Sequence, residues 1–389
     1  MDGSAAASIT LDGVSKRYED GTVAVSELSM HIPAGELVCL IGPSGCGKTT
    51  TMKMINRLIE PTGGKVMLGD DDVTHVNPVE LRRRIGYVIQ QVGLFPHLTI
   101  EANVATVPRL LGWDKKRQHD RSMELLELVG LEPSTFAKRY PTQLSGGQRQ
   151  RVGVARALAA DPSVLLMDEP FSAIDPIARA RLQDEFLRVQ AEIRKTIVFV
   201  THDIDEAVRM GDRIGVFRQG GFLEQFDTPA RVLGAPASDF VADFVGGDRG
   251  LRRLSVTRIR REDLEHPPVI RENDSMADAR SAMGDSRWAV VLDSKNDPAG
   301  WVAAEWLVGA DQLAPHIHRT DVNIGLGANL KDALALMLRS DDGWVAVCDA
   351  GEHIGVLTPA KLHTALRASI EADSGAQQRE AIPASGPAG

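Results

Sequence analysis

A short apolar strand that runs directly into a glycine-rich loop places the strongest constraint on this fold. The strand is predicted over residues 37–41, and the loop that follows reads Gly42-Pro-Ser-Gly-Cys-Gly-Lys-Thr-Thr50. Glycines let backbone N–H groups point inward at phosphate groups, and a helix that begins here adds its positive N-terminal end. Strand, loop and helix together match the phosphate-loop pattern and predict a nucleotide site.

Each residue type in this loop has a predicted task. Lys48 would reach the β- and γ-phosphates as a catalytic cation, and Thr49 would ligate Mg²⁺. A glycine-rich turn that merely joins strand to helix is the structural alternative, which the full match disfavours. The predicted nucleotide-binding residues of the loop are Gly42, Ser44, Gly45, Cys46, Gly47, Lys48, Thr49 and Thr50.

The surrounding sequence alternates short apolar strands with helical patterns. Residues 164–167 and 197–200 predict two further buried strands, and residues 124–129 and 176–192 predict helices. Buried strands that alternate with helices indicate a parallel α/β sheet, here over residues 8–247. The glycine-rich segment 246–250 then breaks the pattern and predicts a domain boundary.

Polar residues follow the predicted buried strands at residues 164–167 and 197–200. Asp168 ends the first of them, where a carboxylate beside a phosphate loop would hold Mg²⁺ through water. Glu169 would polarise the attacking water as general base. His202 follows the second strand, where a neutral imidazole would contact the γ-phosphate and orient the water. The structural alternatives are a solvated strand end and a histidine that satisfies a helix N-terminus.

A second loop, Leu-Ser-Gly-Gly-Gln-Arg-Gln-Arg at residues 144–151, is predicted to contact a phosphate bound by a second copy of the chain. Ser145, Gly146 and Gly147 precede a predicted helix, whose N-terminus would face a phosphate across a dimer interface. Two copies would then close around ATP and open after hydrolysis, which is a ligand-driven shift between conformations. A flexible linker is the structural alternative for the Ser-Gly-Gly segment.

These motifs, in this order, resemble the nucleotide-binding subunit of an ABC transporter over residues 8–247. The resemblance implies a phosphate-loop ATPase fold, ATP and Mg²⁺ as cofactors, and a head-to-tail pair of copies that sandwiches ATP. It implies that Tyr18 stacks on adenine, although an ordinary strand tyrosine is the alternative. It further implies that Gln90 touches Mg²⁺ and the transmembrane partner, and that residues 145–147 cover the γ-phosphate of the opposite subunit. Asp175 matches the aspartate that links the two sites.

A weak internal repeat of about 55 residues occupies residues 254–368. Met276-Ala-Asp-Ala and Trp288-Ala-Val-Val-Leu-Asp recur as Leu330-Lys-Asp-Ala and Trp344-Val-Ala-Val-Cys-Asp. Each copy predicts helix, strand, turn, strand, helix, and the whole resembles a tandem pair of α+β CBS modules. The tail over residues 371–389 is rich in Ala, Gly, Ser and Pro and predicts disorder.

CBS pairs often bind adenosine nucleotides through Ser or Thr followed three residues later by Asp. Here Thr358 is followed by Lys361, and the first copy has Ala303 and Trp306 at the equivalent places. Both copies therefore lack the carboxylate that would hold ribose hydroxyls. A cyclic dinucleotide, or direct sensing of ionic strength, stays open.

Charge, cysteine usage and hydropathy restrict the cellular setting. A net charge of −9 disfavours a nucleic-acid polymer as partner. The cysteines follow no metal-ligand spacing and suit a reducing compartment. No apolar run approaches the roughly 18 residues of a membrane span, and residues 1–8 do not predict a signal peptide. If the protein acts on a membrane, we therefore expect a peripheral subunit at the cytoplasmic face of the plasma membrane.

An importer ATPase that carries a CBS pair resembles the osmoprotectant group, which takes up glycine betaine, choline, carnitine or proline betaine. Residues 86–97 and 221–245 are similar to the same group. The resemblance implies transmembrane permease subunits as partners and, indirectly, a solute-binding protein. An importer ATPase for another small polar solute, such as an amino acid, is one alternative. A soluble ABC-type regulatory ATPase without a permease is the other.

Overall fold

The computed structural model describes residues 5–89, 93–172, 174–320, 322–340 and 342–380. The chain divides into two compact units. The first is drawn from Met1–Val232 and Pro236–Gly246, and the second from Leu233–Ala235 and Gly247–Gly389. The functional limits of 8–247 and 254–368 stay predictions.

The elements that begin in the first unit are, in chain order, β1 (Ile9–Arg17), β2 (Val23–Ile32), β3 (Leu37–Ile41), α1 (Lys48–Ile55), β4 (Gly63–Leu68), β5 (Asp71–Asp72), α2 (Pro78–Arg84), β6 (Ile85–Val88), α3 (Ile100–Val104), α4 (Thr106–Leu110), α5 (Lys115–Leu128), α6 (Pro133–Phe136), α7 (Gly146–Leu158), β7 (Val164–Asp168), α8 (Pro176–Ile193), β8 (Thr196–Val200), α9 (Ile204–Met210), β9 (Arg213–Arg218), β10 (Phe222–Asp227), α10 (Pro229–Gly234) and α11 (Asp239–Val245).

A sheet in the order β10-β9-β3-β8-β7-β6 forms the centre of the first unit. The strands from β9 to β6 run parallel, and β10 pairs antiparallel with β9 at the edge. All residues of β3 and β8 are buried, as expected for parallel strands covered on both faces. The parallel α/β sheet is therefore confirmed, and the strands predicted from apolar runs are β3, β7 and β8.

An antiparallel sheet in the order β2-β1-β4-β5 was not predicted from the sequence. Its buried side chains, such as Ile9, Leu11 and Val14 on β1, pack into the same core as Val38 and Leu40 on β3. The register between β1 and β2 shifts at several points, and these irregularities break the strict alternation that marks a half-buried strand.

The elements of the second unit are α12 (Arg249–Arg253), β11 (Val269–Arg271), α13 (Met276–Met283), β12 (Trp288–Leu292), β13 (Pro298–Ala303), β14 (His318–Arg319), β15 (Asn323–Gly325), α14 (Leu330–Arg339), β16 (Val345–Asp349), β17 (Glu352–Leu357) and α15 (Pro359–Glu380).

The two copies of the repeat share one topology in the second unit. In each copy a strand, a helix and a parallel strand are followed by an antiparallel strand, as β11-α13-β12-β13 and β15-α14-β16-β17. Trp288 and Trp344, at equivalent positions in the repeat, lie with ring centroids 5.1 Å apart. Their contact belongs to a cluster that includes buried Val290 and Val356 and joins the two copies. The assignment as a CBS pair stays a prediction.

Among the described residues that follow β13, the first copy shows no closing α-helix of the kind that the repeat pattern predicts. Residues Ala304–Leu307 form only a short 3₁₀ helix after β13. The carbonyl of Leu307 accepts hydrogen bonds from the Arg280 guanidinium at 2.8 and 3.2 Å, so it is engaged by a side chain of α13. Gly309, at φ +76°, then turns the chain away.

The prediction of a disordered tail from residue 371 is wrong for its first ten residues, because α15 continues to Glu380. Arg253 supplies a physical reason. Its side chain is 2% exposed and binds Ser369 and the Asp373 carboxylate, both on α15. Leaving the buried Arg253 without this partner would be costly, so the contact favours helix at least as far as Asp373.

Candidate nucleotide site

The glycine-rich loop lies between β3 and α1 and approaches its neighbours closely. A Cβ atom on Gly42 would lie 2.3 Å from the Phe217 carbonyl oxygen, and one on Gly47 would lie 2.5 Å from the Ala24 carbonyl oxygen. Gly47 is also left-handed, at φ +103°. Among the described residues no side chain caps the N-terminus of α1, so its first N–H groups suit an anionic ligand.

Lys48 holds its charge inside this loop. Its side chain is buried, and its ammonium donates to the carbonyl oxygens of Gly42 at 2.7 Å and Pro43 at 3.1 Å. The Cys46 sulfur lies 3.5 Å from the same ammonium. The loop therefore combines backbone donors with one buried cation, which is the chemistry that phosphate groups require.

Thr49 and Asp168, two of the predicted magnesium ligands, lie within hydrogen-bond distance of each other. The Thr49 hydroxyl donates to Asp168 Oδ1 at 3.1 Å, across 119 residues of sequence. Burial raises the pKa of Asp168, and the hydrogen bond from Thr49 and the charge of Lys53 oppose that shift. Hydroxyl and carboxylate oxygens are hard ligands, so this pair fits Mg²⁺. Gln90, the third predicted ligand, lies outside the described residues.

Glu169 and His202 lie side by side at the carboxyl ends of β7 and β8. His202 Nδ1 is 3.3 Å from Glu169 Oε1, and the His202 side chain is 61% exposed. Glu169 has a left-handed backbone at φ +43°, and its N–H donates to the Val200 carbonyl at 2.9 Å. Such a conformation costs about 1–3 kcal/mol and is concentrated at functional sites. An imidazole and a carboxylate are thus held together beside the phosphate loop.

The second predicted loop forms its own cleft. Ser145 caps α7 by accepting from the Gln148 N–H at 3.2 Å, and the Gln148 side chain accepts from the Ser145 N–H at 2.9 Å. Asp175 caps α8, with its Oδ1 accepting from the Ala178 N–H at 3.0 Å. Ser145, Gly146, Gly147 and Asp175 line one cleft of about 620 Å³, whose described lining includes none of the phosphate-loop residues.

Tyr18 follows β1 in the turn that leads to β2. Tyr18 is 39% exposed, and the Lys16 ammonium lies 5.2 Å from the ring centroid. A partly exposed aromatic ring is available for stacking on adenine, and this role of Tyr18 stays a prediction.

Two residues that support the site, Tyr87 and Gln219, were not predicted from the sequence. Burial and the charge of Asp168 raise the pKa of Tyr87 to about 12, so its hydroxyl stays protonated beside that carboxylate. Gln219, in the turn directly after β9, donates to the Ser44 carbonyl at 3.1 Å and so supports the phosphate loop. Tyr87 lies only three residues before Gln90, which was a usable signal. The Gln219 contact spans 175 residues and depends on strand pairing, so local sequence did not reveal it.

Within the described ranges, no helix combines the length and apolar character that crossing a membrane requires.

The chain is similar to known ATP-binding proteins of ABC transporters over most of its length. The family model described as ABC transporter matches residues 25–172. The chain is 43% identical over 376 residues to the glycine betaine/carnitine/choline transport ATP-binding protein OpuCA of Bacillus subtilis (strain 168), covering 94% of this chain and 98% of that protein. It is 44% identical over 330 residues to the osmoprotectant import ATP-binding protein OsmV of Salmonella typhimurium (strain LT2), covering 84% of this chain and 86% of that protein.

Two solved structures match the fold of a little over half of the chain. One is the dimeric structure of a post-hydrolysis state of the ATP-binding cassette MJ0796 bound to ADP and Pi, with a TM-score of 0.51 and 36% identity. That match covers 57% of this chain and 98% of the cassette. Another is cbiO1 from Clostridium perfringens, part of the ABC transporter complex cbiONQ. Its TM-score is 0.54 at 26% identity, over 61% of this chain and 93% of cbiO1.

Proposed function

We propose, from the premise that the chain belongs to the ATP-binding subunits of ABC transporters, that it powers uptake of a quaternary-amine osmoprotectant. ATP hydrolysis with Mg²⁺ is the chemistry of this family. The observation that carries the solute class is the 43% identity to a glycine betaine/carnitine/choline transport protein over 98% of that protein's length. The similarity therefore extends beyond the ATPase domain into the C-terminal repeat.

On this proposal the residues around the phosphate loop bind the triphosphate and its metal. Lys48 would neutralise charge on the β- and γ-phosphates, and the N–H groups at the start of α1 would donate to the same oxygens. Thr49 and Asp168 would hold Mg²⁺, together with Gln90. The metal supplies neutralisation of the charge that develops on the phosphate oxygens.

Glu169 would act as general base, and His202 would hold it in place. An ionised carboxylate can accept a proton from the attacking water, and the imidazole 3.3 Å away restrains the carboxylate. The left-handed backbone of Glu169 sets the direction in which its side chain leaves the main chain. The position of the base is therefore defined by the backbone. His202 is exposed enough to meet a γ-phosphate at the same time.

The separation of the two loops favours a site shared by two copies. Ser145, Gly146 and Gly147 would cover the γ-phosphate bound by the opposite copy, in a head-to-tail arrangement. Asp175 would link the two composite sites, because it lines the same cleft and caps the helix behind it. ATP would then join two chains, and its hydrolysis would release them.

Permease subunits complete the proposed importer. The pair would bind them peripherally at the cytoplasmic face of the plasma membrane, with a solute-binding protein acting on the other side. The CBS-like pair would regulate the ATPase through a cyclic dinucleotide or through ionic strength. The Thr358 hydroxyl, which would bind ribose in the usual CBS site, instead donates to Glu265 at 2.8 Å. This contact favours a ligand other than an adenosine nucleotide.

Glu169→Gln tests the catalytic assignment. The amide keeps the shape of the carboxylate but cannot accept the proton, so we expect the ATPase kcat to fall by about 10²–10⁴-fold with ATP binding retained. Glu192→Gln makes the same chemical change at an exposed position of α8 and should leave kcat unchanged. Normal hydrolysis by Glu169→Gln would refute the assignment of the base.

Uptake measurements test the solute class. Cells that lack this chain should lose uptake of radiolabelled glycine betaine or choline and regain it with the wild-type gene, but not with Glu169→Gln. Uptake of a labelled amino acid is the parallel arm. Loss of amino-acid uptake alone would favour an importer for another polar solute. Unchanged uptake of every solute would favour a regulatory ATPase without a permease.

A further inference from the structure

Helices α8 and α9 each follow a loop of the proposed site. The Asp175 loop precedes α8, and the turn that holds His202 precedes α9. α8 begins after Asp175, which accepts from the Ala178 N–H at 3.0 Å. α9 begins after Asp203, which directly follows His202 and accepts from two N–H groups in the first turn of α9. Each loop is therefore fixed to its own helix, and the position of one loop relative to the other depends on what joins the helices.

Arg179, on the first turn of α8, contacts both loops. Its Nη2 donates to the Ile174 carbonyl at 3.0 Å, and its Nη1 lies 3.9 Å from Asp203 Oδ2. The side chain is 29% exposed, so solvent screens these contacts only in part. A planar guanidinium offers donors in several directions at once, whereas a lysine ammonium is a single point charge.

One turn further along α8, a buried pair makes a second connection to α9. Gln183 Nε2 donates to Glu206 Oε1 at 2.9 Å, and the two residues are 5% and 7% exposed. Burial raises the pKa of Glu206, and hydrogen bonds from Thr201 and Gln183 oppose the shift. Thr201 Oγ1 in turn accepts from the Asp203 N–H at 3.1 Å. The buried hydrogen bonds thus return to the turn that holds His202.

We propose that Arg179 is a positioning residue for ATP hydrolysis, which couples the Asp175 loop to the His202 turn around the fixed Gln183–Glu206 pair. The proposal rests on the proposed function, in which Asp175 meets the second copy and His202 faces the γ-phosphate. Closure of two copies displaces the Asp175 loop, and Arg179 transmits the displacement to His202. Hydrolysis then depends on closure, although Arg179 itself touches no reacting atom.

Arg179→Gln in the full chain is the first test. We expect kcat to fall by about tenfold or more, because small displacements at a reacting centre are costly, while KM for ATP stays within about twofold. Arg179→Lys should recover little, since one ammonium cannot serve both the Ile174 carbonyl and Asp203. The matched control is Arg209→Gln, which breaks the exposed Arg209–Asp184 ion pair between the same helices and should keep kcat within about twofold.

Asp203→Asn separates coupling from general helix packing. The amide oxygen still caps α9, but the charge that faces Arg179 is gone. If Arg179 acts through Asp203, the double variant Arg179→Gln/Asp203→Asn loses no more activity than Arg179→Gln alone. Multiplicative losses would overturn the proposal, and so would wild-type kcat in Arg179→Gln or an equal loss in Arg209→Gln. If Arg179→Gln does not fold, Asp203→Asn and Arg179→Lys decide by the same criteria.

Glu169→Gln, measured alongside, separates this proposal from the proposed function. Normal hydrolysis in that variant refutes the catalytic base. An inactive Glu169→Gln combined with a fully active Arg179→Gln refutes only the coupling.

Discussion

The N-termini of α1 and α7 are both predicted to face ATP phosphates, yet they are built differently. α1 begins at a left-handed glycine with no side-chain cap among the described residues, and its loop is packed tightly against neighbouring backbone. α7 begins with a complete capping box from Ser145 and Gln148, beside an open cleft. One helix end needs an external acceptor for its N–H groups, and the other already has one.

This difference suggests an order of events. The uncapped end of α1, with Lys48 held inside its loop, would bind the triphosphate within a single chain. The capped end of α7 gains less from an anion on its own, so it would contribute only when a second copy presents its bound ATP. Binding and closure would then be separate steps, and substitutions at the two helix ends should have different effects.

Gly47→Ala should have the largest effect. The new Cβ would lie 2.5 Å from the Ala24 carbonyl oxygen, and a left-handed backbone costs alanine about 1–2 kcal/mol more than glycine. Because the backbone must move, we expect ATP affinity to fall by at least about 100-fold, measured by titration calorimetry. Gly146→Ala meets nothing within 4 Å at the start of α7 and should keep the affinity of wild type. Equal losses in both variants would contradict the difference between the helix ends.

Ser145 variants should give a moderate effect that separates capping from phosphate contact. Ser145→Ala removes the cap, so the free energy of unfolding should fall by about 1 kcal/mol and Tm by about 2–4 °C. Ser145→Asp keeps a capping oxygen and should restore Tm, but its charge would oppose the phosphate of the partner. We expect both variants to bind ATP normally, and we expect Ser145→Asp to hydrolyse it poorly. Full activity in Ser145→Asp would show that this residue does not approach the phosphate.

Some parts of the fold and of the site could be predicted from the sequence, and others could not, for physical reasons. The phosphate loop, β3, β7 and β8 were predictable because fully buried parallel strands are continuous apolar runs, and because the loop pattern is long and specific. The antiparallel sheet was not, since its register shifts disturb the alternating pattern. The Asp168 side of the site was predictable from its place at a strand end. Arg179 and Glu206 were not, because their contacts with Asp203 and Gln183 depend on the packing of α8 against α9.

Asp168→Asn should have the smallest effect on stability and the opposite sign. Burial raises the pKa of Asp168 above its unfolded value, so the folded protein binds this proton more readily than the unfolded chain. Stability is therefore highest below the unfolded pKa, falls as pH rises through the folded pKa, and stays reduced at pH 7. Asparagine keeps an acceptor for Thr49 without the charge, so Tm at pH 7 should rise slightly, by less than the equivalent of about 1 kcal/mol.

Acidification distinguishes this cause from a simple packing effect. The gain in Tm of Asp168→Asn over wild type should shrink as pH falls through the raised pKa, because wild type then becomes neutral as well. Glu206 titrates in both proteins and cancels in the difference. A gain that does not change with pH would mean that the charge of Asp168 is not what lowers stability. Loss of Mg²⁺-dependent hydrolysis together with the gain would identify Asp168 as a group whose burial lowers stability and whose charge the proposed magnesium site requires.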